Sequence, residues 1–270
     1  MNTTALFRSF HQQPGQPLVL ANIWDAGTAR LVESLGAKAI ATTSAGVAWS
    51  LGHTDGNTLP LEKLAHVVRG VVAAVKVPVT IDVEAGYSGE PATVFERLKP
   101  VFETGIAGIN IEDGADAASV LARKIEAIRQ GTSSMGLDIF VNARTDVYLR
   151  NLRPDDEKVG ETLKRANIYR SAGADGLFVP GIANAAQIRE VAAGTDLPLN
   201  VMSVPVLPRL QELAQLNVRR LSAGSALTQA VWRHLARLAQ RFLADGDSAA
   251  LASDSMEYRQ LQALFADARP

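Results

Sequence analysis

Residues 79–112 read "VTIDVEAGYSGEPATVFERLKPVFETGIAGINIE". The stretch opens on a short apolar run, "VTIDV" (Val79–Val83), and turns through a glycine-bearing loop. It continues as "ATVFERLKPVFETG", apolar at helical spacing and stopped by a glycine. A second apolar run, "GINIE" (Gly108–Glu112), follows at once. This is a strand–helix–strand unit. Its strands are continuously rather than alternately apolar, which predicts a parallel sheet covered on both faces.

The same unit recurs outward in both directions. Further strands are expected at "LVLAN" (Leu18–Asn22), "AIATT" (Ala39–Thr43), "IFVNA" (Ile139–Ala143), "GLFVP" (Gly176–Pro180), "LNVM" (Leu199–Met202) and "RLSA" (Arg220–Ala223). Amphipathic stretches such as "AGTARLVESLG", "LEKLAHVVRGVVAAV" and "KVGETLKRANIYRSAG" lie between them. Eight such units in a chain of 270 residues fit a (β/α)8 TIM barrel spanning residues 1–270 as a single domain. Residues 244–270 would form a C-terminal helical extension that closes the barrel or packs on a neighbouring subunit. An open doubly wound sheet is the alternative, weakened by the absence of G-x-G-x-x-G after the first strand.

Composition narrows the function classes. A net charge of -1 and the lack of a long basic run give no footprint for nucleic acid. No run of about 18 uncharged apolar residues suggests a membrane span. The N-terminus shows no signal-peptide pattern, and the cytoplasm is the default location. With no cysteine, disulfides, thiolate nucleophiles and thiolate metal sites are excluded.

In such barrels the reactive groups stand at the carboxyl ends of the strands. Here those ends carry Asn22 and Asp25; Thr43, Ser44 and Ala45, with His53 and Asp55 further along; Asp82 and Glu84; Asn110, Glu112 and Asp113; Asn142, Arg144 and Asp146; Asn200 and Ser203; and Ser222 to Ser225. Strand six ends on Phe178 and Pro180, with almost nothing polar. Asp82, Glu84, Glu112 and Asp113 would converge on one side of the mouth. Semi-buried carboxylates need protons, hydrogen bonds or a cation. Oxygen-only ligands favour Mg²⁺, with Mn²⁺ the second choice. Arg144 could grip a carboxylate with two parallel bonds. A hard cation beside an arginine suits a small 2-oxo acid, with backbone N–H groups of Thr43–Ala45 and the side chain of Asn200 completing its binding site. Negative charge developing on the keto oxygen would be stabilised there as an enolate.

Plainer readings stand beside these. Asp82 and Glu84 could be a helix cap and a surface acid, and Arg144 could simply pair with Asp146. Ser222–Ser225 could cradle an anion, or Gly224 could permit close packing while Ser225 caps a helix. His53 reads as solvated, and Trp24, Trp49 and Trp232 as packing residues. No lysine stands at a strand end for a Schiff base, and four scattered histidines make no zinc cluster.

The segments "NIWDAGTARLVESLGAKAIATTSAG", "VPVTIDVEAGYSG", "GIAGINIEDG", "VNARTDVYL", "GADGLFVPG" and "RRLSAGSAL", in that order, resemble the isocitrate lyase/phosphoenolpyruvate mutase superfamily over nearly the whole barrel. The resemblance implies a (β/α)8 barrel, commonly a homotetramer with a terminal helix exchanged between neighbours. It implies a Mg²⁺ site and a 2-oxo acid or enolate ligand, with C–C or P–C bonds made or broken. By motif, Asp82 corresponds to the direct metal ligand, and Glu84 and Glu112 to the acids that hold the metal's waters. Arg144 corresponds to the carboxylate-binding arginine, Thr43, Ser44 and Ala45 to the loop that receives the oxo-acid oxygens, and Asp55 to a catalytic acid near the substrate. The departure lies after strand four. There "EDGADAASVLARKIEAIRQG" lacks the Lys, Cys and His of the lyases' gating loop, and also the Lys, Asn and Ser of the mutases'. Isocitrate cleavage is therefore not expected. Two readings remain: a lyase or hydrolase of an oxaloacetate-like or phosphonopyruvate-like acid, in the phosphonomutase-like branch, and a non-catalytic protein that binds a 2-oxo acid.

Overall fold

The structure, a computed structural model, describes residues 2–253 and 255–266. Eight parallel strands follow one another around the sheet: β1 (Leu18–Leu20), β2 (Ile40–Ala41), β3 (Val79–Asp82), β4 (Gly108–Glu112), β5 (Phe140–Arg144), β6 (Gly176–Val179), β7 (Leu199–Met202) and β8 (Val218–Ser222). β1 pairs with β8, and a single bridge between Ile23 and Thr42 joins the remaining seam. Every strand therefore neighbours its successor in sequence, which is a (β/α)8 barrel and not the open sheet.

The helices in chain order are α1 (Thr3–Phe10), α2 (Ala26–Ser34), α3 (Ser44–Ser50), α4 (Leu61–Ala74), α5 (Val94–Phe102), α6 (Ala118–Ser134), α7 (Lys158–Ser171), α8 (Ala185–Ala193), α9 (Leu210–Gln215), α10 (Ala226–Asp245), α11 (Ser248–Ser253) and α12 (Tyr258–Ala266). The large apolar core lies between strands and helices, as continuously apolar strands require. The C-terminal extension folds as α11 and α12. Within this chain α12 returns to α2, where Arg30 Nε donates to the Leu264 carbonyl (3.0 Å). Residues 254 and 267–270 of that extension lie outside the described residues.

β1 and β2 are shorter than expected. Asn22 leaves the ladder to donate through Nδ2 to the Thr42 carbonyl (2.8 Å). Thr43 then stands immediately before α3, so the "TSAG" segment, expected as a loop, begins a helix. Gly46 makes this possible, because a Cβ there would lie 2.7 Å from both Thr43 Cγ2 and Thr228 Oγ1.

No element was expected before Leu18, yet α1 closes the amino end of the barrel. Its Phe7 is fully buried among Leu18, Leu20, Ala39, Ala41, Ala107 and Phe140. Thr4 Oγ1 donates to the Asp138 carbonyl (2.9 Å), and Arg8 pairs with Asp175. His11, just past α1, stacks on Phe140 with centroids 4.3 Å apart and bonds the Phe7 carbonyl through Nδ1 (2.9 Å). Burial first, and then the nearby Arg220 charge, bring its pKa down from 6.5 to about 3. The folded protein thus holds a neutral His11 while the unfolded chain protonates it below pH 6.5. Stability is expected to fall as pH drops from about 6.5 toward 3, by up to about 4 kcal/mol from this group. Urea midpoints measured across that range should show the slope, and His11→Phe should flatten it.

Candidate active site

The site grows from the end of β3. Ile81 and Val83 are fully buried against the helices, so the alternation of a strand turns Asp82 into the barrel mouth. The Asp82 N–H donates to Thr42 Oγ1 (2.9 Å). Its carboxylate accepts from the Glu84 N–H (3.1 Å) and distantly from Ser44 Oγ (3.4 Å).

After Val83 the strand geometry ends. Glu84, Gly86 and Tyr87 all adopt left-handed φ values, of 51°, 88° and 53°. A Cβ on Gly86 would meet Val94 Cγ2 at 2.5 Å, so glycine is required there on two counts. This turn carries the Glu84 side chain away from the cavity. One of its oxygens accepts from Tyr87 Oη (2.7 Å) and the other from the Asn57 N–H. Asn57 Oδ1 in turn accepts from the Tyr87 N–H (3.2 Å). Glu84 therefore clamps the 51–60 loop, which carries Asp55, and does not line the cavity. Behind it, Lys124 of α6 reaches back to donate to the Ala85 carbonyl (2.7 Å).

β4 and β5 supply the next charges. Arg144 Nε and Nη2 donate to the two oxygens of Asp146 (2.7 and 3.1 Å), and Nη1 lies 2.5 Å from Glu112 Oε2. The guanidinium also sits 5.9 Å from the centre of the Phe178 ring. The Arg144–Asp146 pair is thus present, and the guanidinium still lines the cavity. Asp113 is a correction to the strand-end reading. It points away from the mouth, accepting from Arg165 Nη1 (2.7 Å) and Tyr169 Oη (2.5 Å) of α7 and from the Asp146 N–H (2.9 Å).

Three carboxyls in this region are pushed toward protonation. Burial raises Asp82, with Asp55 adding to it and Arg144 opposing. Burial likewise raises Glu84, with the Tyr87 and Asn57 bonds opposing. Glu112 rises to about 8 through burial, with Asp82, Asp146 and Glu84 outweighing part of the Arg144 attraction.

Of these three carboxyls Asp82 alone lines a cavity of about 220 Å³ at the carboxyl ends of the strands; Glu84 and Glu112 stand behind its lining. Thr43, Ser44, Ala45, Asp55, Asp82 and Arg144 all line it. Asn200 does not, which is a second correction. Its Nδ2 bonds the Val201 and Arg220 carbonyls and Ser222 Oγ, and its Oδ1 accepts from Asn142 Nδ2, so it belongs to a polar layer inside the barrel. Asn22, Asn110 and Met202 also line the cavity without having been singled out as site residues. Their signal was their register at strand ends. The Gly224 N–H is taken by Asn22 Oδ1 (3.0 Å), and Ser225 makes no side-chain cap to α10. His53 pairs with Lys63 in an exposed loop, and Trp49 packs on Trp232.

Among the described residues, no three acidic or histidine side chains come close enough to ligate one ion directly. The donor set nevertheless suits a hard cation held by one carboxylate and water. Its donors are all oxygen, and its carboxylates are held above their ordinary pKa by burial and by one another. Asp82, on the strand itself, and Asp55, on the 51–60 loop, are the carboxylates that line the cavity.

The comparisons bear on what occupies such a cavity. Residues 7–243 match the model of the phosphoenolpyruvate phosphomutase family. An uncharacterized protein of Mycobacterium tuberculosis is 35% identical, covering 97% of this chain and 96% of its own. A crystal structure of a candidate phosphonomutase from Burkholderia cenocepacia is 41% identical, covering 89% of this chain and 100% of its own, with a TM-score of 0.84. An oxaloacetate decarboxylase of Rhodopseudomonas palustris is 28% identical, covering 81% of this chain and 79% of its own.

Proposed function

The chain belongs to the phosphoenolpyruvate phosphomutase family, and on that footing we propose that it is a Mg²⁺-dependent lyase or hydrolase of a small 2-oxo acid, cleaving a C–C or P–C bond at the third carbon. The observation that carries the reading is the cavity itself, which brings Asp82 and Arg144 together with Thr43, Ser44 and Ala45 in one lining. The oxaloacetate decarboxylase and phosphonomutase relatives support the substrate class.

Asp82 would hold the cation directly, Glu112 would act on it through water, and Glu84 would act through the clamped loop. A divalent cation so held would polarise the keto oxygen and stabilise the enolate charge that develops as the bond breaks. Arg144 binds the substrate carboxylate with the Nη1 and Nη2 protons that its bonds to Asp146 and Glu112 leave over. The first N–H groups of α3 face the remaining oxygens. The scissile electron pair stays with the third carbon and delocalises onto the keto oxygen, while the carboxyl group leaves as carbon dioxide in C–C cleavage or the phosphoryl group passes to water in P–C cleavage. Asp55, on the loop that Glu84 clamps to β3, delivers the proton that the third carbon then takes up.

The purified protein with Mg²⁺ is expected to release pyruvate from at least one member of a panel of oxaloacetate-like and phosphonopyruvate-like acids, and Asp55→Asn to slow it by about 100-fold or more. No pyruvate from any member would remove the catalytic reading. The second reading, a non-catalytic binder, rests on the five-residue connection between Glu112 and α6, which has no Lys, Cys or His.

We also propose a homo-oligomer. α10 leaves Val231, Trp232, Leu235, Phe242 and Leu243 between 42% and 84% exposed, and Leu35 of the barrel is 78% exposed. Faces of this kind mark interfaces. Light scattering should give a dimer or tetramer of the 28.8 kDa chain, and Leu235→Glu together with Leu243→Glu should lower the mass to that of a monomer.

A further inference from the structure

We propose that Asn110 is a substrate-binding residue of this site, donating an amide N–H to an oxygen of the acid, and that the buried Arg220 fixes the amide in that orientation. The inference rests on the 2-oxo acid reading above and adds a residue that the family motifs do not supply.

Asn110 stands on β4 in register with Asp82 on one side and Asn142 on the other, and it lines the cavity. Two donors converge on its Oδ1: Asn142 Nδ2 (2.9 Å) and Arg220 Nη2 (3.2 Å). A guanidinium has no acceptor, so the oxygen end of the amide must face Arg220. The NH₂ end is turned the other way, and among the described residues it has no protein partner. An amide locked like this cannot ligate a cation, because its only ligating atom is already used below. It can only donate, which suits a carboxylate or keto oxygen above it.

Arg220 is fully buried and forms no ion pair among the described residues, and its Nη1 has no partner. Its other contacts are Ser222 Oγ, at 3.3 Å from Nε, and the Phe7 ring, 6.0 Å away. Such a charge is costly to bury. It gives the cavity floor a fixed positive potential and sets the polarity of Asn110. Arg220 is thus a positioning residue, acting through Asn110.

The test is calorimetric titration of oxalate into the full chain at saturating Mg²⁺, with Mg²⁺ binding measured separately. Asn110→Asp keeps the shape and the contact with Arg220 but turns an acceptor toward the ligand. It should weaken oxalate by about 30-fold or more and leave Mg²⁺ within about threefold. Arg220→Met should weaken oxalate by about fivefold or more through an amide held by Asn142 alone, and Arg220→Lys, which still donates to Oδ1, should recover most of that loss. Oxalate binding to Asn110→Asp within twofold of the parent would overturn the inference and leave the proposed function standing. Joint loss of Mg²⁺ and oxalate would overturn it in favour of a role at the cation. A parent protein that binds no oxalate would overturn both.

Discussion

Asp82→Ala is expected to lower Mg²⁺-dependent turnover of the oxo acid by about 1000-fold or more, and to leave the protein as stable as the parent or more stable. The first half follows from the proposed role of Asp82, a cavity-lining carboxylate, as direct ligand, since its loss would forfeit the charge stabilisation a cation would supply. The second half follows from its poor local compensation. It receives one good hydrogen bond, from the Glu84 N–H, and one long one from Ser44, while burial and Asp55 press it toward the neutral form. Removing such a group relieves Glu112 and Glu84 as well, because both feel the Asp82 charge. Activity and thermal midpoint should therefore move apart, as they do where a site is held at a cost to stability. A drop in both would mark Asp82 as a structural acid, the cap-and-surface reading of the Asp82–Glu84 pair.

Asp113→Ala should do the opposite, costing about 3–5 kcal/mol of stability. Its two oxygens serve Arg165, Tyr169 and the Asp146 N–H, all in buried surroundings. Its loss leaves the buried Arg165 with only Glu161 and the Asp116 carbonyl, and strands the Tyr169 hydroxyl and the Asp146 N–H. Asp146 itself accepts from Arg144, so the damage should reach the cavity wall only through a loosened β5 end. Urea unfolding would show the loss as a lower midpoint at unchanged slope. An Asp113→Ala protein with parental stability and no activity would instead return Asp113 to the site.

The contrast between these two neighbouring acids shows where sequence reading reaches its limit. β4 and β7 were legible to the residue, because apolar runs bounded by glycine or proline leave little choice of strand limits. Asp82, Arg144, Asp55 and Thr43–Ala45 were legible as a cavity, because a barrel brings all strand ends to one face. Glu84 and Asp113 lie one or two residues beyond the last ladder position, where side-chain direction depends on φ and not on alternation. The left-handed turn from Glu84 to Tyr87 depends on hydrogen bonds with Asn57, about 30 residues earlier, and on the space that Val94 leaves beside Gly86. Asn200 was placed in the cavity and Arg220 overlooked for one shared reason. Which polar side chains fill the barrel interior depends on the strand register, and that register is set by all eight strands together. α1 was missed because its apolar face is short, and Phe7 gains its value only from the barrel floor it fills.

The central claim is a cavity in which a divalent cation and a 2-oxo acid bind together. Its most direct measurement is calorimetric titration of pyruvate into the parent protein, once with Mg²⁺ and once with the cation removed by a chelator. Binding with Mg²⁺, and loss of that binding without it, is the predicted result. Equal binding in both conditions, or none in either, would contradict the account.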